Sequence, residues 1–227
     1  MLRELLAAFR SKHPLAEMGA NFARMVQLTG ESVQEASAIY FGDSPLDPAG
    51  VARIRQRDVE VNALQRTIRR QVVAHLSFET GRGDVPYCLL LVSLVKDVER
   101  LGDYAKNLSE VRSIHPAPLP DDEIVGQLAG VREWIDTNYQ ILSDVLEETD
   151  RDRADKLIAA GRTISRSLDA LIGKIASSDY DGRSAAALVM GTRFYKRIVG
   201  HVINLLTGVV QPLHKLDYYD EDQPGEM

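Results

Sequence analysis

Proline is rare in this chain, and where it falls leaves room for little except long helices. None occurs between Pro14 and Pro45, between Pro48 and Pro86, between Pro86 and Pro116, or anywhere from Asp121 to Gln211. Proline inside a helix removes a backbone hydrogen bond and clashes with the preceding turn, so these stretches are where helices can run. Their apolar residues recur at three and four. From Leu15 to Tyr40, Met18, Phe22, Met25, Val26, Val33, Ala36, Ile39 and Tyr40 make one stripe, with a break expected near Gly30. Ahead of it, Leu2 to Phe9 reads as a short amphipathic start. Asp47-Pro48 reads as a helix cap followed by proline at the first helical position. The helix it opens carries Val51, Ile54, Val61, Leu64, Ile68, Val72 and Leu76 and stops before Gly81-Arg82-Gly83. Pro86 opens a third helix, to about Ile114, and His115 to Pro120 is a proline-rich joint.

The second half repeats this rhythm. Asp121 or Asp122 caps a helix carrying Ile124, Leu128, Val131, Ile135, Ile141, Val145 and Leu146. Asp150 caps the next, to about Ala176. Ser177 to Gly182 turns, and a last helix runs from about Arg183 to Val210. Glu99 to Leu108 aligns with Lys196 to Leu205, so that Arg100, Asn107 and Leu108 recur as Arg197, Asn204 and Leu205. The fold class expected is therefore all-α: an elongated six-helix bundle of two three-helix repeats sharing one core. Residues 1–115 form the first repeat, 116–215 the second, and 216–227 an acidic tail. The tail holds Asp217, Asp220, Glu221, Asp222 and Glu226 and no Lys or Arg, so most of the net charge of −6 resides there.

That charge and the pI near 5.4 argue against a general nucleic-acid binder. The one cysteine, Cys88, permits no intrachain disulfide and no cysteine-built zinc site. It lies in the apolar run Tyr87 to Leu91, where a buried inert thiol is expected. The longest apolar stretch, around Tyr87 to Val95, is far shorter than a membrane span, and the first ten residues carry Arg3, Glu4 and Arg10. A cytoplasmic protein without membrane insertion is the expectation.

Chemistry concentrates in the third helix. Glu99 and Asp103 stand four apart and project from one face. Asp58 and Asn62 repeat that spacing in the second helix. If the two helices are antiparallel neighbours, these four oxygen-bearing side chains face one another and make a hard site, suited to magnesium, manganese, iron or zinc. An acidic pair at this spacing is also common on solvated faces. The histidines His13, His75, His115, His201 and His214 complete no Glu-x-x-His motif, which argues against a di-iron bundle enzyme. Asp97 is expected to face elsewhere, and His201 to be a surface or satisfied core residue. Phosphate-loop and nucleophile-elbow motifs are absent. The arginines Arg53, Arg55, Arg57, Arg66, Arg69 and Arg70 read as a solvated face or as a dock for an acidic partner.

The segment Val98-Glu99-Arg100-Leu101-Gly102-Asp103-Tyr104-Ala105-Lys106-Asn107-Leu108 resembles the third-helix signature of the PhoU phosphate-uptake regulators. Asp58 to Leu64 resembles the matching second-helix phrase, at the family's helix–turn–helix separation. The resemblance implies two three-helix repeats with metal bound on the bundle surface. Carried over residue by residue, it makes Asp58, Asn62, Glu99 and Asp103 the metal ligands. In the register of the two repeats Asp58 and Asn62 meet Asp155 and Ala159, and Glu99 and Asp103 meet Lys196 and Gly200. One metal site at most is therefore expected, with Lys196 able to fill the vacated second position. The resemblance further implies a non-enzymatic adaptor, usually a homodimer, between a phosphate transporter ATPase and a sensor histidine kinase. The alternatives are a metal-free helical scaffold and an accessory regulator of a different transporter.

Overall fold

The computed structural model of the 227-residue chain describes residues 14–43, 48–115 and 118–216. The Leu2–Phe9 start, the Asp47 cap and the tail from Asp217 onward lie outside the described residues. Among the described residues six long helices follow one another: α1 (Pro14–Phe41), α2 (Pro48–Leu76), α3 (Val85–Ile114), α4 (Glu123–Glu148), α5 (Arg151–Ala176) and α6 (Gly182–Val210). A 3-10 turn (Glu79–Asp84) joins α2 to α3, and a second (Leu213–Lys215) follows α6. Among the described residues there is no strand, so the chain is an all-α bundle.

α4, α5 and α6 start where the sequence supplies acceptors. The Asp122 carboxylate accepts from the Val125 amide at 3.0 Å, and Asp150 accepts from Arg153 at 3.0 Å. Asp181 accepts from both Arg183 and Ser184, at 2.8 and 3.1 Å. Each satisfies amides that the first turn leaves without partners. Only Thr149 and Asp150 separate α4 from α5, and Thr149 makes the reversal at φ 53°.

One core serves both repeats. α3 packs against α1, α2 and α6, while α6 packs against α3, α4 and α5, and the buried apolar residues of all six helices form one cluster. Polar ties cross between the repeats. Tyr40 Oη donates to the Ala187 carbonyl at 3.2 Å, and Tyr195 Oη donates to Ser37 Oγ at 2.9 Å. Thr29 and Tyr139 share a hydroxyl–hydroxyl bond of 2.5 Å.

One local expectation is corrected. α1 runs unbroken through Gly30. The glycine makes room for α4: a β-carbon there would lie 2.8 Å from Tyr139 Cε1. α2 ends at Leu76, before Gly81 as expected, and Glu79–Asp84 form the 3-10 turn. That turn is tied back by His75 Nε2, 2.7 Å from Asp84 Oδ2.

Candidate functional site

α2 and α3 are antiparallel neighbours, as the pairs Arg55–Glu110, Asp58–Lys106 and His75–Asp84 require. α2 commits Ile54, Val61 and Ile68 to the core, each at most 1% exposed, which leaves Asp58 and Asn62 at the seam with α3. α3 buries Val98, Leu101 and Ala105 completely and so sets Glu99, Asp103 and Lys106 along the same seam. The two pairs at four-residue spacing therefore sit on facing helices.

A cation already stands among these side chains, and it belongs to the protein. Lys106 Nζ donates to Asp58 Oδ2 on α2 and to Asp103 Oδ1 on α3, both at 3.1 Å. Arg100 Nη1 holds the other Asp103 oxygen at 3.1 Å. Partial burial alone would lower the Lys106 pKa; the hydrogen bonds to Asp103 and Asp58 outweigh it and hold the ammonium above its ordinary value. Asp58 Oδ1, facing Gly102, is buried and has no hydrogen-bond partner. Glu99 is half-buried and titrates above its ordinary value. Burial is the largest cause, then the like charge of Asp103 and, more weakly, of Asp58, opposed by Arg100 and Arg69. Asn62 is half-buried at the same seam.

The donor set matches a hard cation in kind: carboxylate oxygens, one of them buried and orphaned, and an amide. Its arrangement does not present them together. Among the described residues no three His, Cys, Asp or Glu side chains converge to ligate one ion. Asp58 and Asp103 are instead drawn onto Lys106.

The second repeat departs from the aligned register. Lys196 Nζ is bound to the Asp169 carboxylate at 2.5 and 2.6 Å, and Ile203 packs against Gly161. α5 is thus displaced along α6, and Asp155 and Ala159 are exposed residues nearer the start of α5. Lys196 meets a carboxylate that the alignment did not put beside it.

Asp97 does face elsewhere, and where it faces was not legible in the motif. It is 3% exposed and points into the junction of the repeats, where Oδ1 accepts from His201 Nδ1 at 2.7 Å and from Asn204 Nδ2 at 3.0 Å. The His201 ring stacks on Tyr104 at 5.6 Å. His201 is satisfied by Asp97, as expected. Cys88 is fully buried, and burial pushes its thiol up to about 11. Of the α2 arginines, Arg53 and Arg57 clamp Glu35 of α1 at 2.5 and 2.6 Å, so they brace α1 to α2. Arg66, Arg69 and Arg70 are exposed.

Residues 22–111, which contain both phrases and the seam they build, match the PhoU domain family. The first three helices of this chain are similar to a PhoU domain. Over 87 residues the chain is 26% identical to a phosphate-specific transport system accessory protein PhoU homolog of Zymomonas mobilis subsp. mobilis. That stretch covers 38% of this chain and 35% of the relative, so the matched chain spans about a third of the relative's length. The crystal structure of PhoU from Pseudomonas aeruginosa superposes with a TM-score of 0.77 at 18% identity. The superposition covers 88% of this chain and 97% of that one, so the PhoU fold extends through both repeats. No helix among the described residues is long and apolar enough to cross a membrane.

Proposed function

We propose that this chain is a PhoU-like regulator of phosphate uptake and of the phosphate-starvation response. It acts by contact with other proteins and has no catalytic activity of its own. The carrying observation is the α2–α3 seam: the two PhoU phrases, distant in sequence, meet there inside the segment that matches the PhoU domain. The exposed large hydrophobics among the described residues, Val59, Val73, Phe78, Val85, Leu89 and Ile114, all belong to the α2–α3 hairpin. By family resemblance the partners are the ATPase of a phosphate transporter and a sensor histidine kinase. The protein works in the cytoplasm as a homodimer.

Asp58, Asn62, Glu99 and Asp103 would hold one hard metal ion, which would pin α2 to α3 and neutralise the Glu99 and Asp103 charges. Two paired carboxylates on the existing Lys106 ammonium favour a second reading, a scaffold that needs no metal.

Removing the protein from phosphate-replete cells tests the regulatory reading. Phosphate-starvation reporters should switch on, and the chain should co-purify with the transporter ATPase from wild-type cells. Reporters unchanged by its removal would refute the role. Metal is tested separately, by stoichiometry after anaerobic purification. Glu99→Ala with Asp103→Ala should abolish binding, and metal retained at full stoichiometry in that variant would sink the ligand assignment.

A further inference from the structure

We infer that the acidic C-terminal segment of this chain, Asp217 to Glu226, docks on the basic and apolar outer face of the α2–α3 hairpin. The inference goes beyond the regulatory reading and does not depend on it. The face has two parts. Phe78 and Val73 are 68% and 67% exposed, and the exposed Val85 and Leu89 stand with them at the tip, where His75 ties the end of α2 to the start of α3. In the antiparallel register set by Asp58–Lys106 and His75–Asp84, Val73 falls opposite the turn of α3 that carries Val85 and Leu89. Further from the tip Arg66 falls opposite Lys96, and Arg69 is close enough to Glu99 to oppose the rise in its pKa. From Ala63 to Leu76 α2 has no acidic residue, and α3 has none from Val85 to Lys96. Arg66, Arg69, Arg70 and Lys96 are all exposed, and among the described residues none of them is paired with a carboxylate.

Such a face fits an occupant of opposite charge with apolar groups beside its charges. The C-terminal segment has that composition. Asp217, Asp220, Glu221 and Asp222 flank Tyr218 and Tyr219, Glu226 follows, and there is no Lys or Arg. It also starts in the right place. His201 of α6 meets Asp97 of α3, and a β-carbon on Gly208 would meet Leu94 and Leu90, so α6 runs antiparallel to α3 and ends beside its start. The 3-10 turn Leu213–Lys215 then touches α3, and Leu216 is buried in the core. The chain therefore leaves the bundle near the hairpin tip. The stretch from Asp217 to Asp222 reaches about 20 Å when extended, against about 16 Å of helix from Val85 to Lys96. Its tether holds it there at an effective concentration of about a millimolar. The residues before Pro14 do not fit the face, because Arg3, Arg10 and Lys12 outnumber Glu4 and share its sign. Docked, the two tyrosines cover the apolar tip and the carboxylates meet the arginines and Lys96. A cover held in this way is loosened by salt.

Zero-length carbodiimide coupling of the full chain, with the links mapped by mass spectrometry, tests this. Carboxylates of the C-terminal segment should couple to Lys96 several-fold faster than to Lys156, which is exposed on α5. Arg66→Glu with Arg70→Glu should cut the Lys96 link several-fold, and so should raising the salt from about 0.01 M to about 1 M. Equal coupling to the two lysines, or a Lys96 link that survives the double substitution, would overturn the inference. A mixture of isotope-labelled and unlabelled chains separates the occupants. Links within one copy support the inference, and links found only between copies would give the face to a second copy and overturn it. A second readout needs no lysine and leaves the bundle untouched. Asp220→Asn, Glu221→Gln and Asp222→Asn together should raise the fluorescence of a dye that binds exposed apolar surface, and unchanged fluorescence would overturn the covering of the tip.

Discussion

Gly191 offers the sharpest test of how the two repeats are joined. Tyr40 of α1 is 1% exposed, bonds the Ala187 carbonyl of α6 and lies edge-on to Tyr195 with ring centroids 6.0 Å apart. A β-carbon at Gly191 would fall into this ring: its hydroxyl and Cζ are nearer still than Cε2, which would be at 2.6 Å. The ring is rigid, so Gly191→Ala must push α1 from α6 or force Tyr40 out of its rotamer. Overpacking of that kind costs about 1–3 kcal/mol, and loss of the hydroxyl bond to a buried carbonyl adds about 1. Alanine in a helix interior returns about 1 kcal/mol. The net expectation is a loss of about 2 kcal/mol, or a fall in Tm of roughly 4–8 °C for a chain of this size. Gly130 of α4 and Gly173 of α5 are the controls. Both are helical with nothing within 4 Å of an added methyl, so alanine there should stabilise by up to about 1 kcal/mol. Urea denaturation of the three variants gives the signs directly. A Gly191→Ala protein as stable as the Gly130→Ala one would refute the close approach of α1 and α6. Tyr40→Leu combined with Gly191→Ala should cost less than the two changes added, since each relieves the other.

Other expectations follow from the same contacts. Asp97→Ala removes the acceptor of the half-buried His201 and Asn204 donors and should cost about 1–3 kcal/mol by urea denaturation, Asp97→Asn less. Glu35 and Glu99 should act in opposite directions on acid stability. Burial raises the Glu35 pKa, but the Arg57 and Arg53 hydrogen bonds outweigh it and hold it below 4.5. The contribution of Glu35 is therefore present above pH 4.5 and is lost as pH falls through the folded value, and Glu35→Gln should flatten that loss. The raised Glu99 pKa means that the folded protein holds its proton more tightly, so stability falls as pH rises from 4.5 through the folded value. Glu99→Gln should remove that slope, read as urea midpoint against pH. Thr149→Gly should stabilise by about 1 kcal/mol, because glycine adopts φ 53° without the strain of a β-branched side chain.

Most of the helix boundaries could be read because their causes are local. Asp122 and Asp150 act as caps at positions the sequence named, and the proline-free stretches became the helices. Gly30 and Gly191 were opaque for a different reason. A glycine that breaks a helix and one that admits a tyrosine from another helix look identical along the chain, and only the packing of α4 or α1 separates them. In the site, four-residue spacing and antiparallel pairing were enough to bring Asp58 opposite Asp103. Lys106 was inside the quoted motif, yet its role depends on a carboxylate 48 residues away. Asp97 gave no signal, since its partners lie on α6 and share no motif with it.

The second repeat shows what becomes of this seam when its charges are absent. In the alignment of α3 with α6, Asp103 corresponds to Gly200 and Lys106 to Ile203. Ile203 is fully buried, and a β-carbon at Gly161 of α5 would stand 2.8 Å from its side chain and 3.4 Å from Trp134. Where the first repeat places a shared ammonium between two helices, the second closes them by apolar contact on a glycine. The closer approach gives up a polar cluster whose members must all be satisfied, and gains dispersion and apolar burial. Its one comparable ion pair among the described residues, Lys196 with Asp169, is left on the half-exposed rim, where such a pair contributes little to stability. The two seams therefore divide the work physically. The α5–α6 seam is closed by apolar contact, with its ion pair at the rim. The α2–α3 seam is closed by charge, through the Lys106 ammonium that Asp58 and Asp103 share.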